Sequence, residues 1–229
     1  MNIRASLNKH PAEVALMFDS VAPRYDFMNA LLSMHQDVHW RRATTEALNP
    51  SQGERVLDLA AGTGTSSWPL IEAGADVWSL DRSPGMVTVG QQRQPDLVFA
   101  VGDGHALPFI DEAFDAVTIS FGLRNMPHPV AVLRELHRVT TKGGRLVVCE
   151  FSTPVRLWLK ALYAIWLRIV VPIASNFSHN PDSYLYLAQS ILDWPNQKTV
   201  NAWLREAGWH HVAHRNLTGG IVALHRGTR

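Results

Sequence analysis

The segment Asp58-Leu59-Ala60-Ala61-Gly62-Thr63-Gly64-Thr65 constrains this chain more than any other. Arg55 to Leu59 reads as a buried strand, and it runs straight into small residues. Small side chains let a backbone pass close to a ligand, and glycine takes backbone angles that other residues resist. A strand that turns through such a loop into a helix begins a doubly wound α/β sheet. Ligands of such sheets sit outside the carboxyl ends of the strands, where the following helix N-terminus offers amide donors.

The pattern downstream repeats this unit. Ser66 to Ala73 is expected as a helix stopped by Gly74, and Ala75 to Asp81 as the second strand. Ser83 then caps a helix with Pro84 at its first position. Leu97 to Val101 and Ala116 to Ser120 read as the third and fourth strands. Pro129 to Val139 is a helix expected to stop near Gly143-Gly144, ahead of a fifth strand from Arg145 to Glu150. Such alternation with short connections means right-handed crossovers and a parallel sheet. Asp182 to Leu192 is a helical stretch, and Thr199 to Ala207 is a helix stopped by Gly208. Trp209 to Arg215 and Gly220 to His225 then form a hairpin around Thr218-Gly219-Gly220. Upstream, Val14, Met17, Phe18 and Val21, then Trp40, Ala43, Ala47 and Leu48, recur at helical spacing. The expected architecture is a Rossmann-like, mostly parallel seven-stranded sheet with a C-terminal β-hairpin and an N-terminal helical lid. It is expected as one domain: a lid over 1–50, a ligand-binding core over 51–152, a substrate-side helical insertion over 153–195, and a closing helix and hairpin over 196–229.

Composition excludes several classes. The 229 residues carry 21 basic and 20 acidic side chains, a net charge of +1, which gives no field to gather nucleic acid. Cys149 is the single cysteine, so no internal disulfide forms. No Cys/His cluster has zinc spacing, and no metal is expected. Met1 to His10 lacks the apolar core of a signal peptide. The longest apolar region, Leu157 to Ala174, carries Lys160 and Arg168 and is a poor membrane span. The expected setting is the cytoplasm, with any membrane contact confined to the surface. His210, His211 and His214 lack carboxylate or cysteine partners and read as surface or packing residues.

Two nucleotide ligands compete for the loop. A dinucleotide wants Gly-x-Gly-x-x-Gly and a pyrophosphate on the helix N-terminus. Here Ser67 stands three after Gly64, and the Asp58 carboxylate would repel a pyrophosphate. That charge suits a cationic ligand, as in the sulfonium and ammonium of S-adenosyl-L-methionine. Asp81, ending the second strand, can accept both ribose hydroxyls. Asp103, between Gly102 and Gly104, is placed to accept an adenine amino group, and Ser120 ends the fourth strand in the same crevice. Each carboxylate taken alone is equally a turn or helix cap. Together, at successive strand ends, the features favour S-adenosyl-L-methionine and the class I methyltransferase form of the fold.

Further motifs narrow the reading. They include Tyr25-Asp26-Phe27-Met28-Asn29 with Leu32-Ser33 and Trp40, and Ala106-Leu107-Pro108-Phe109. They continue with Ile119-Ser120-Phe121-Gly122-Leu123-Arg124-Asn125, Gly143-Gly144-Arg145-Leu146 running to Glu150-Phe151-Ser152, and Asp182-Ser183-Tyr184 with Tyr186-Leu187-Ala188. Asn216-Leu217-Thr218-Gly219-Gly220 and His225-Arg226-Gly227 close the set. Over nearly its whole length the chain thus resembles the C-methyltransferases of menaquinone and ubiquinone biosynthesis, the UbiE type. It departs at Asp37, where the family usually has histidine, and at Thr65, where aspartate is common.

The resemblance implies cofactor contacts at Thr63, Asp81, Asp103, Gly104 and Ser120, beside Asp58, Gly62 and Gly64 from the loop. It implies methylation of a ring carbon of a prenylated quinol: demethylmenaquinol, or alternatively the benzoquinol precursor of ubiquinone. By the same route Arg124 is expected to stabilise the developing quinolate, with Asn125 and Tyr25 holding a water or carboxylate that relays the proton. The competing role for Arg124 and Asn125 is to fix their own loop through backbone carbonyls. Trp158, Leu162, Ile165, Trp166 and Ile169 can share one helix face. That face is expected either as a core or homodimer contact, or as a wall for the isoprenoid tail, with Arg156, Lys160 and Arg168 near lipid headgroups. The rivals are a methyltransferase for another lipophilic acceptor and a catalytically silent scaffold of quinone assembly.

Overall fold

The computed structural model describes residues 9–171 and 181–229. Its strands are β1 (Arg55–Leu59), β2 (Asp76–Asp81), β3 (Val98–Val101), β4 (Phe114–Ser120), β5 (Thr140–Phe151), β6 (His210–Leu217) and β7 (Val222–Thr228). They form a seven-stranded sheet in the order β3-β2-β1-β4-β5-β7-β6. The first five strands pair in parallel, whereas β7 runs antiparallel to both β5 and β6. Because β1 lies between β2 and β4, the chain winds outward in both directions from it. The crevice this opens lies at the carboxyl ends of these strands.

The helices are α1 (Pro11–Val21), α2 (Tyr25–Leu32), α3 (Gln36–Leu48), α4 (Trp68–Glu72), α5 (Pro84–Arg93), α6 (Pro129–Val139), α7 (Leu157–Ile165), α8 (Pro181–Leu192) and α9 (Gln197–Glu206). A π-helical turn, Trp166–Val170, extends α7. Alternation along β1 divides the core. Leu57 and Leu59 pack with Leu133 and Leu136 of α6 and Val200 and Leu204 of α9. Val56 packs on the other face with Leu48 of α3 and Leu70 of α4. A further cluster joins Met28 and Leu32 of α2 to Leu167, Tyr184 and Ile191, and Val14 and Met17 of α1 pack on Tyr186 of α8. These contacts bring the N-terminal helices over the carboxyl ends of the sheet.

Three expectations are corrected. The helix read over Ser66 to Ala73 shrinks to Trp68–Glu72, because turns of the glycine loop run on to Ser67. Gly143-Gly144 does not end α6, since Thr140 passes directly from the helix into β5. The two glycines sit instead where the β4–β5 register shifts, a position at which a bulge needs small residues. Gly143 takes φ +77°, and a Cβ on Gly144 would meet the Asp115 carbonyl oxygen at 2.8 Å. The α7 stripe is not core: Trp158, Leu162, Ile165 and Ile169 are each more than half exposed, at 59, 57, 54 and 52%. Among the described residues, no helix is long and apolar enough to cross a membrane.

Candidate functional site

The glycine loop is held open by its neighbours. Gly62 N–H donates to Asp81 Oδ2 at 2.8 Å, and Ser83 N–H donates to Asp81 Oδ1 at 2.8 Å. Burial raises the Asp81 carboxyl above its ordinary value, against the pull of these amides. Ser83 Oγ accepts the Met86 N–H at 3.0 Å and so caps α5. A Cβ added at Gly62 would meet nothing within 4 Å, so the space beside this peptide is free. Gly64 differs: its φ is +80°, and a Cβ would come within 2.7 Å of Leu97 and Phe99. It turns its bare side towards β3 packing rather than towards a ligand.

The N-terminal helices clamp this loop. Asp26 of α2 accepts both threonine hydroxyls, Thr63 at 2.8 Å and Thr65 at 3.1 Å, and pairs with Arg93 of α5. Asp19 of α1 accepts the Gly85 N–H at 2.8 Å and the Ser83 hydroxyl. Arg41 of α3 donates to Ser66 Oγ at 2.8 Å and lies 3.4 Å from Asp37, which also accepts the Ser33 hydroxyl at 2.9 Å. Asp37, at the position that departs from the family pattern, therefore links α3 to the turn before it.

Between loop and lid lies a cavity of about 430 Å³. Gly62, Thr63, Asp81, Gly104 and Ser120 line one end. Tyr25, Arg124 and Asn125 line the other, among Trp40, Phe121, Phe151, Tyr163, Trp166 and Tyr186. Of the residues singled out in the sequence, Asp58, Gly64 and Asp103 are not among the lining. Asp58 is corrected as a direct charge partner. Alternation along β1 turns it to the α4 face, where it is fully buried and the Ser67 hydroxyl donates to it at 2.7 Å. Burial pushes its carboxyl up to about 7, so it is only partly ionised at neutral pH. Asp103 stays ionised. Burial opposes this, but the His105 amide and ring together with Arg82 outweigh it and bring the carboxyl to about 2.

The Asp58 value has a measurable consequence. Its folded pKa lies above the ordinary 3.8, so its contribution to stability is complete below that value and is lost as pH rises through about 7. Asp58→Asn keeps an acceptor for Ser67 without the ionisation. Urea unfolding at several pH values is expected to show wild type losing a few kcal/mol relative to this variant between about pH 4 and pH 8. Parallel pH profiles would rule this out.

At the far end, a short 3-10 turn over Leu123–Asn125 follows β4. Arg124 is 4% exposed and its guanidinium lies 2.9 Å from Glu150, which is fully buried. Glu150 also accepts the Arg124 N–H at 3.1 Å and the Phe151 N–H at 2.9 Å. Arg124 Nη1 and Asn125 Nδ2 both donate to the Phe121 carbonyl, so these residues do hold their own loop. Each nevertheless keeps an unused group. Arg124 Nε, Asn125 Oδ1, Ser120 Oγ and the hydroxyls of Tyr163 and Tyr186 are buried with no hydrogen-bond partner among the described residues. Unmet polar groups of this kind cost about 1–3 kcal/mol each, and these five, with Arg41 Nε on the same lining, point to a polar ligand. Tyr25 is half-buried and bonded to Asn29, and desolvation raises its hydroxyl, which keeps it a donor.

Sequence reasoning missed Asp19, Arg41, Tyr163 and the pairing of Glu150. Only Glu150 left a signal: a carboxylate closing an apolar strand needs a buried cation.

The model of the ubiE/COQ5 methyltransferase family matches residues 6–229. A protein of Beutenbergia cavernae named demethylmenaquinone methyltransferase is 58% identical over 97% of this chain and 93% of its own length. One of the same name from Streptomyces griseus is 54% identical over 99% of each. A solved SAM-dependent methyltransferase of Thermotoga maritima superposes with a TM-score of 0.67 at 18% identity, covering 92% of this chain and 97% of that one. At that identity the likeness concerns the fold, which is that of the class I methyltransferases.

Proposed function

The chain belongs to the ubiE/COQ5 methyltransferase family, and from that membership we propose that it transfers the methyl group of S-adenosyl-L-methionine to a ring carbon of a prenylated quinol. The acceptor is demethylmenaquinol, as the names of its relatives suggest, and the product is menaquinol. The observation that carries this reading is a single cavity with two chemically different ends. One end offers open backbone at Gly62, the Asp81 carboxylate and Ser120 Oγ, which has no partner among the described residues. The other is walled by aromatic rings around one buried arginine.

The residues at the first end fit S-adenosyl-L-methionine. Asp81 has lone pairs left for ribose hydroxyls, Gly62 leaves room for the ligand, and Gly102 and Gly104 border the same space. When bound, the cofactor supplies an electrophilic methyl group on a cationic sulfur. The protein's own residues prepare the acceptor. Arg124, fixed by Glu150 and the Phe121 carbonyl, stabilises negative charge on a quinol oxygen and so enriches the ring carbon. Trp40, Phe121 and Phe151 pack together and exclude water while holding a flat ring in line. Asp26 and Glu150 are committed to arginines. The ring proton therefore leaves by a water held between Asn125 Oδ1 and Tyr25.

The reading extends to the membrane. Leu162 and Met34 line the cavity yet are largely exposed, so its mouth is apolar. Beside it, Leu157, Trp158, Ile165 and Ile169 stand exposed on α7 and its extension, flanked by exposed Arg156, Lys160 and Arg168. Such a stripe suits peripheral contact with the cytoplasmic leaflet, from which an isoprenoid tail enters. One experiment tests both parts. Methyl-labelled cofactor is offered with short-tailed naphthoquinol or benzoquinol in anionic vesicles, and the vesicles are floated. Label in the naphthoquinol and protein in the floated fraction are expected. Label in the benzoquinol alone overturns the acceptor, label in neither overturns the quinol reading, and absence of flotation overturns the membrane contact.

A further inference from the structure

Helices α7 and α8 bring two phenols to the aromatic end of the cavity that the mechanism above does not use. Tyr163 belongs to α7 and stacks on Trp166 with ring centroids 6.1 Å apart and planes at 11°. Tyr186 belongs to α8, is 2% exposed, and is pinned by Val14 and Met17 of α1. Both line the cavity, and both hydroxyls are buried without a hydrogen-bond partner among the described residues. Packing can fix a ring, but it gives no reason for the oxygen at its tip. Phenylalanine would fill the same apolar neighbourhood without the cost of an unmet hydroxyl. Two such oxygens on separate helices, bordering one cavity, are what a ligand with two separated oxygens would require.

We propose that the hydroxyls of Tyr163 and Tyr186 donate hydrogen bonds to the ring oxygens of the dihydroxy-aromatic acceptor and thereby orient its ring beside Arg124. This deepens the quinol reading and rests on it. The arrangement distinguishes an aromatic diol from a monophenol, because a ring with one oxygen leaves one of the two donors unmet. Burial raises both hydroxyls above the ordinary phenol range, while the Arg124 and Glu150 charges act on both. They therefore remain protonated at neutral pH, as a donor role needs. Rings held by packing cost little conformational entropy when an acceptor arrives, since their rotamers are already fixed.

The test uses the intact protein with a short-tailed naphthoquinol, the matching naphthol with one hydroxyl, and S-adenosylhomocysteine. Tyr163→Phe, Tyr186→Phe and the double variant are compared with wild type for acceptor KM, kcat, S-adenosylhomocysteine affinity by calorimetry, and Tm. Each single change is expected to raise the quinol KM about tenfold, the size of one lost hydrogen bond. The double variant should lose most of the preference for quinol over naphthol. Tm should hold or rise in both single variants, because no protein hydrogen bond is removed, and S-adenosylhomocysteine affinity should not change. Unchanged quinol KM and unchanged diol preference would overturn the proposal. So would a fall in Tm with a matching loss of S-adenosylhomocysteine affinity, which marks structural tyrosines. Failure of wild type itself to methylate or bind the quinol is a separate result, and it overturns the quinol reading on which the proposal rests.

Discussion

Arg124→Ala is expected to lower stability by about 3–5 kcal/mol, because it strands the fully buried Glu150 carboxylate without its cation. In a chain of 229 residues that is a fall in Tm of roughly 10 °C. Turnover is expected to fall about 10²–10³-fold, the usual loss when one preorganised donor at a developing charge is removed. The two effects separate in a paired variant. Arg124→Met with Glu150→Gln removes both charges together and should recover most of the stability, since replacing a buried pair by neutral side chains is often tolerated. It should not recover turnover. Recovery of both would reduce Arg124 to a brace for the loop between Phe121 and Asn125. Differential scanning calorimetry with labelled methyl transfer checks both readouts.

Asp81→Ala should have the largest effect on ligand binding. The carboxylate serves the cavity twice: it accepts the Gly62 amide from the loop and the Ser83 amide at the start of α5. Removing it leaves the loop peptide unanchored and takes away the acceptor proposed for the ribose. Two charge-assisted hydrogen bonds at about 1.5–3 kcal/mol each correspond to more than 100-fold in S-adenosylhomocysteine affinity. Asp81→Asn keeps one acceptor oxygen and should lose less. Calorimetric titration of both variants is decisive. Affinity of Asp81→Ala within threefold of wild type would mean that the nucleoside lies elsewhere.

The parts of the fold that were legible rest on short-range chemistry. Arg55–Leu59 and Pro129–Val139 come out at the expected bounds, and Ser83 caps α5 with Pro84 next to it. Each of these signals lies within a few residues. Gly143-Gly144 misled because a glycine pair marks a bulge as readily as a helix end, and only the register against β4 separates the two. Asp58 misled for another reason. Val56, Leu57 and Leu59 are all apolar because both faces of β1 are covered, so the sequence carries no alternation from which to tell which face Asp58 joins.

The site divides along the same line. The residues of the glycine loop, Asp81, Ser120 and Arg124 stand at strand ends, and topology alone sends strand ends to the crevice, so their place could be read from order along the chain. The clamp of Asp26 on Thr63, Thr65 and Arg93 spans 37, 39 and 67 positions. Neither it nor the convergence of Tyr163 and Tyr186 follows any period. By itself, then, the sequence determined a parallel sheet with a loop fit for a nucleoside, because periodicity and small residues act locally. Only the tertiary structure decided which carboxylates line the cavity and which hydroxyls stand there without a partner among the described residues, because those depend on how helices distant in the chain pack over the strand ends.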